Sequence, residues 1–311
     1  MNQKKILVTG ITGFIGSHIA EALLQVNYDV IGLIRRNSDC WRCVDSMNKI
    51  TWVNTEDNYI EKLIALKPDI IIHCAWEGAA AEKREDIHIQ TENVLFLQTI
   101  LDLAVKLKVE KFIGLGSQAE YGFLSKPVKE NAKLNPDSEY GKAKALASEN
   151  VRFFCEPQEI NWFWLRLFSF YGPKEATNWF IPHIITSFAS NNEEIKLSAG
   201  TQKYAYLYIK DLVKYLIKLV ETKDVQSGIF NISGTRAVEL RQIVLDIKKQ
   251  FETSTTDLQF GAVPSRENQS KILRGVMSKF HKNVGKINRT SFSVGLKETI
   301  KYYQNKIHES I

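Results

Sequence analysis

The sequence predicts an α/β fold, a doubly wound parallel sheet with a smaller α+β lobe. Three observations predict it. Short, nearly continuous apolar runs alternate with helix-period segments through the first half of the chain. Strands covered by helices on both faces read this way. A glycine-punctuated turn joins the first run to the first helical segment. After Pro173 the alternation loosens into shorter elements.

Each element follows from its own pattern. "KILVTG" (5–10) is an apolar run closed by glycine, and "GFIGSHIAEALLQVN" has helical period. "DVIGLIR" (29–35) reads as a second strand and "KITWVN" (49–54) as a third. A helix "NYIEKLIALK" and a fourth strand "PDIIIHCA" (68–75) follow. Residues 84–108 form a long helix, 111–117 a fifth strand, 137–155 another helix and 160–169 a sixth strand. The expected division is 1–172 for the sheet domain and 173–311 mainly for the second lobe. Some segments of that lobe are interleaved with the first domain.

Composition narrows the class. The 311 residues are 44% hydrophobic and 24% charged, as in an ordinary globular protein. The net charge of +6 is dispersed, with no long basic run to suggest nucleic acid. The amino terminus enters a strand almost at once, without the apolar h-region of a signal peptide. "NWFWLRLFSFYG" is short and holds Arg166, so it is not read as a membrane span. A cytoplasmic location is expected. Cys40 and Cys43 form "CWRC", but no second pair completes a metal site. They are expected to be reduced thiols in a loop, and no metal is expected.

The glycine turn carries the first chemical signal. "VTGITGFIGSHIA" sets Gly10, Gly13 and Gly16 between a strand and a helix. A helix N-terminus offers unpaired N–H groups and a partial positive charge to a pyrophosphate. Gly10 permits the tight turn, Gly13 a close backbone approach and Gly16 tight helix packing. Thr12, Phe14 and Ile15 fall in the same turn and join the expected cofactor contacts. The second strand ends in "LIRRNS", where an NAD site usually has an acid. Arg35 and Arg36 suit a ribose 2′-phosphate instead, so NADP(H) is favoured over NAD, with Arg35 nearer the strand end. Ala75 and Trp76 end the fourth strand and are expected to line the cofactor cleft. His73, just before them, is expected to pack against the cofactor edge.

"YGKAK" (140–144) spaces Tyr140 and Lys144 one helical turn apart. With "TGITGFIG" (9–16), "GSQAEYG" (116–122) and "RLFSFYGP" (166–173), it resembles the extended short-chain dehydrogenase/reductase family, in its nucleotide-sugar (NAD-dependent epimerase/dehydratase) branch. "YLYIKDL" (206–212) and "VPSREN" (263–268) look like its substrate-lobe signatures, and the resemblance spans nearly the whole chain. It implies a Rossmann fold with a smaller substrate-binding lobe, a homodimer built from two long helices of each subunit, and a nucleotide-diphosphate sugar as substrate. It also implies Ser117, Tyr140 and Lys144 as catalytic residues. A tyrosine ordinarily titrates near ~10, so working near neutral pH asks for a drop of about 3 units, roughly 4 kcal/mol. An adjacent lysine and a cationic nicotinamide are the expected cause. Lys144 would also hold the nicotinamide ribose, and Ser117 the substrate oxygen.

Three reactions share this scaffold. Dehydratases of the family carry an acid pair just after the catalytic Ser or Thr. Here Gln118 and Ala119 follow Ser117, which disfavours dehydration. Epimerases keep their cofactor, usually NAD, whereas a reductase exchanges NADPH. Arg35 and Arg36 therefore tilt the reading to reduction. The resemblance is greatest to nucleotide-sugar 4-keto-6-deoxyhexose 4-reductases of the CDP-abequose synthase type. The resemblance implies a hexose or heptose destined for surface polysaccharide. An epimerase with retained NAD is the alternative, ahead of a dehydratase or a non-catalytic NAD(P)-binding regulator. In the second lobe, Tyr204 stands where many members have a diphosphate-binding arginine, with Lys203 a possible substitute, while Arg266 matches the other arginine. Gln118, Asn178, Phe180 and Lys196 complete the expected substrate contacts.

Overall fold

Seven parallel strands form the central sheet. They are β1 Lys5–Thr9, β2 Asp29–Ile34, β3 Ile50–Asn54, β4 Ile70–His73, β5 Lys111–Ser117, β6 Asn161–Leu167 and β7 Gly228–Ile232, in the order β7-β6-β5-β4-β1-β2-β3. The computed structural model describes residues 3–79, 83–265 and 269–309, without the side chains of 308 and 309. Strand order reverses between β1 and β4, which pair in parallel from Ile6↔Ile70 to Thr9↔His73. A crevice opens at the carboxyl ends of strands at such a reversal.

Strand side chains alternate between two apolar cores. Ile6 and Val8 face one side of the sheet, with α1 (Phe14–Gln25). Leu7 faces the other, in the same core as α2 (Tyr59–Leu66), α3 (Ile87–Leu107) and α4 (Glu139–Cys155). The first core continues into α5 (Phe180–Ala189), α6 (Ile209–Glu221), α7 (Leu240–Lys248), α8 (Ser278–Asn283) and α9 (Phe292–Glu309). No helix among the described residues is long and apolar enough to cross a membrane.

The expected elements of the first half are present, with bounds shifted by up to three residues. One expectation fails. Trp41–Lys49 is a 3-10 helix rather than a loop, and Cys43 within it is buried. Its packing against the glycine turn orders it: the Cys43 thiol lies 3.5 Å from the Ile11 carbonyl. The second half also returns to the sheet. β7 pairs along β6 from Gly228↔Phe163 to Ile232↔Leu167. The buried Lys111 links sheet and helix by donating to the Leu219, Val220 and Thr222 carbonyls at the end of α6. Those carbonyls have no intrahelical partner, so a cation there is stabilising.

Candidate active site

The glycine turn meets the end of β4 with no room for side chains. Gly10 has φ +64°, and a Cβ on it would lie 2.6 Å from the Ala75 nitrogen. A Cβ on Gly16 would lie 2.3 Å from the Gly10 carbonyl oxygen, so α1 can sit this close only with glycine there. Gly13 is the N-cap of α1, with no side-chain cap and no acid in the first turn. Thr12, Phe14 and Ile15 occupy the same turn. The opening N–H groups of α1 thus remain available to an anion. This bare, uncrowded helix start fits a dinucleotide pyrophosphate. A nicotinamide cofactor held there supplies hydride chemistry.

Arg35 and Arg36 diverge after β2. Arg36 pairs with Glu56 (3.0 Å) and Asp57 (3.5 Å), beyond the end of β3. Arg35 pairs with Glu77 (3.2 Å), which follows β4. Because β1 lies between β2 and β4, this pair spans the strand end from which the glycine turn departs. Sequence reasoning missed Arg42, which donates to the Lys174 carbonyl at 2.8 Å and the Thr12 carbonyl at 3.5 Å. No short motif marks it, because both partners are backbone atoms distant in sequence.

Ser117 ends β5 and caps the 3-10 helix Gln118–Tyr121, accepting from the Ala119 nitrogen at 3.1 Å. Glu120 completes this capping box by accepting from the Ser117 nitrogen at 2.8 Å. Its carboxylate also accepts from Trp164 (2.9 Å) and Arg166 (2.6 Å), all in a fully buried setting. Arg166 in turn donates to Tyr121, whose hydroxyl donates to Asn231. Glu120 is therefore a saturated structural group that fixes Ser117. Its partners lie far off in sequence, so the string "GSQAEYG" alone does not reveal this role.

Tyr140 and Lys144 lie buried on one face of α4, whose N-cap Ser138 accepts from the Gly141 nitrogen. The Ser117 side chain interacts with the Tyr140 hydroxyl and favours its ionised form. Lys144 donates to the Leu115 carbonyl at 2.7 Å, and its Nζ lies 5.9 Å from the Tyr140 ring centroid. The same Nζ lies 3.6 Å over the Trp76 ring, a cation–π contact that sequence reasoning did not foresee. Trp76 is held by its indole N–H to Gln90 on α3 (2.9 Å). The structure thus gathers Ser117, Tyr140, Lys144, Ala75 and Trp76 beside the glycine turn.

In the cofactor-free site burial raises the Tyr140 pKa above its ordinary value, opposed by the Ser117 side chain and the Arg84 charge, while Glu120 adds to the rise. Burial brings Lys144 itself down to about 7. In a dry site the cost of charge outweighs the attraction of neighbours, for ammonium and phenolate alike. His73 is buried. Its ring packs against Phe96 and Phe112, and its Nδ1 lies 3.0 Å from the Thr9 hydroxyl. Burial first, and Lys144 second, lower its pKa to about 3. It is a neutral core residue that supports the strand end through Thr9, which also accepts from the Ala75 nitrogen.

The expected substrate contacts are more scattered. Gln118 is half-buried beside Ser117. Tyr204 packs against the cluster of Tyr121, Phe168 and Leu273, and its hydroxyl accepts from Gln269 at 3.0 Å. Asn178 is exposed before α5, while Phe180 opens α5 and packs against the core. Lys196 is exposed and paired with Glu194 at 2.6 Å. Lys203 faces Glu239 across an antiparallel bridge and pairs with it at 3.5 Å. Arg266 lies outside the described residues. Among the described residues no group of acids, histidines or cysteines could hold a metal ion.

Known proteins share this arrangement of elements. A sequence profile described as "NAD dependent epimerase/dehydratase family" matches residues 6–233. A CDP-abequose synthase from Salmonella muenchen is 28% identical over 277 residues, covering 86% of this chain and 87% of the relative. A UDP-N-acetylglucosamine 4-epimerase from Methanobrevibacter ruminantium M1, solved with UDP-N-acetylmuramic acid, is similar with TM-score 0.88 and 24% identity. That match covers 98% of this chain and 100% of the other. A UDP-glucuronic acid 4-epimerase from Bacillus cereus, solved with UDP-glucuronic acid and NAD, has TM-score 0.84 and 25% identity, covering 97% and 99%.

Proposed function

This chain belongs to the NAD dependent epimerase/dehydratase family, and from that premise we propose that it is an NADPH-dependent reductase of the 4-keto group of a nucleotide-activated 6-deoxy sugar. One observation carries the reading. The interaction of Tyr140 with Ser117 suits it to be the proton donor, and the acid that follows Ser117 is unavailable for a second transfer. Glu120 is locked on Arg166, and Ala119 has no proton to give. Reduction needs one hydride and one proton, whereas elimination of water needs a further base and acid. The relative that makes CDP-abequose supports the choice of a deoxy sugar.

In this reading the α1 N-terminus holds the cofactor pyrophosphate, and Arg35 leaves Glu77 to hold the 2′-phosphate. Lys144 holds the nicotinamide ribose. Ser117 bonds the keto oxygen, and Tyr140 delivers a proton to that oxygen as hydride reaches the carbon. Gln118, Asn178, Phe180, Lys196, Tyr204 and Arg266 belong to the sugar and nucleotide side of the cleft, in a lobe built mainly from residues 173–311. The protein is a cytoplasmic homodimer serving surface-polysaccharide synthesis.

The test is NADPH consumption by purified protein offered CDP-, dTDP- and UDP-linked 4-keto-6-deoxyglucose. Tyr140→Phe is expected to lower turnover by about 10²–10⁴-fold with NADPH affinity unchanged. Undiminished turnover in that variant refutes the mechanism. A second reading, a 4-epimerase with retained NAD, is favoured by the carboxylates Glu77, Glu56 and Asp57, which already occupy both arginines. NAD co-purifying with the protein, and interconversion of sugars without net NADPH loss, would select it.

A further inference from the structure

The loop leading into α3 presents a cation to Tyr140 that the proposed chemistry does not use. The Arg84 guanidinium carbon lies 4.7 Å from the centroid of the Tyr140 ring. The Arg84 carbonyl accepts from the Tyr140 nitrogen at 2.9 Å. One contact aims charge at the ring, and the other ties the loop to the first turn of α4. Arg84 is thereby held to the residue it faces.

The other groups around Tyr140 have different commitments. Lys144, on the same helix, is farther from the ring at 5.9 Å, donates to Leu115 and stacks on Trp76. Glu120, from the segment after β5, is paired with Arg166 and opposes ionisation of the phenol. Glu85, beside Arg84, accepts from the Glu139 nitrogen. Ser117 is neutral, and Trp76 meets the ring edge-on with 6.4 Å between centroids.

A buried ammonium can shed its proton, and Lys144 is brought down to about 7. A guanidinium stays charged at every working pH. A cation over an aromatic face is attracted to the ring, and more strongly once the ring carries negative charge. We propose that Arg84 is a positioning residue for the proton donor: its guanidinium favours the phenolate that forms as Tyr140 releases its proton. This rests on the reading of Tyr140 as that donor.

The experiment follows tyrosinate absorbance against pH in the cofactor-free protein. Subtracting the matching Tyr140→Phe curve isolates Tyr140, in wild type, Arg84→Met and Arg84→Lys. Arg84→Met is expected to raise the Tyr140 midpoint by about one pH unit, with Arg84→Lys restoring most of it. The pH profile of kcat/KM should move in the same direction, with NADPH affinity unchanged. An unmoved midpoint in Arg84→Met overturns the inference. Equal shifts in Arg84→Met and Arg84→Lys overturn it too, because packing and not charge would then be responsible. Normal turnover in Tyr140→Phe refutes the donor reading instead, and a loss of turnover there with unmoved midpoints refutes only the role of Arg84.

Discussion

Lys144 is where burial and charge compete most directly. Burial takes its pKa from 10.5 to about 7, against the opposing pull of Glu120 and Cys74. The unfolded chain keeps this proton to about 10.5, but the folded chain keeps it only to about 7. Between those values folding expels a proton, so this group makes stability rise with pH across that window, and its cost is full below it. The whole window corresponds to at most about 5 kcal/mol. Lys144→Met is therefore expected to stabilise the cofactor-free protein most at pH 7 and below, with the advantage fading toward pH 10. Denaturant unfolding at several pH values measures this, and a pH-independent difference would mean that the folded lysine keeps its charge throughout. The sequence displays Tyr140 and Lys144 through their one-turn spacing. It does not display Trp76 above Lys144 or Arg84 above Tyr140, because each contact joins segments more than fifty residues apart and follows no periodic rule.

At the scale of elements, the strand–turn–helix unit at the start of the chain was legible because every requirement is local. The apolar run, the three glycines and the helical period lie within residues 5–25. Gly16 shows how tight the unit is. A methyl group at 2.3 Å from the Gly10 carbonyl forces α1 outward. Gly16→Ala is expected to destabilise the protein by about 1–3 kcal/mol and to weaken NADPH binding by about tenfold. Denaturant titration and cofactor fluorescence measure the two effects, and unchanged affinity would remove the pyrophosphate from this helix end. The 3-10 helix Trp41–Lys49 was not legible. Such helices lack a strong apolar period, and this one is ordered through contacts such as those of Cys43 with Ile11 and Arg42 with Thr12 and Lys174.

At the scale of the molecule, one sheet separates two apolar cores, and α3 packs on α4 over one of them. These two helices leave Ile87, Leu95, Leu146 and Phe153 exposed, Phe153 at 75%. Large apolar side chains exposed on adjoining helices are costly in water and suit a self-complementary contact between two copies. The proposed homodimer would use this face. Phe153→Glu combined with Leu146→Glu is expected to yield a monomer by light scattering, with its NADPH affinity retained. A wild type that is already monomeric would refute the dimer.

The sequence by itself determined the alternation of strands and helices in the first half, the glycine turn and the spacing of Tyr140 and Lys144, because each depends on neighbours within one or two turns of chain. The tertiary structure decided what surrounds those residues. It returned β7 to the edge of the sheet beside β6, locked Glu120 onto Arg166 and placed Trp76 over Lys144 and Arg84 over Tyr140. It also paired Arg35 with Glu77. The physical reason is distance. Backbone propensity and apolar period act within a segment, whereas burial and charge depend on which distant segments the fold brings together.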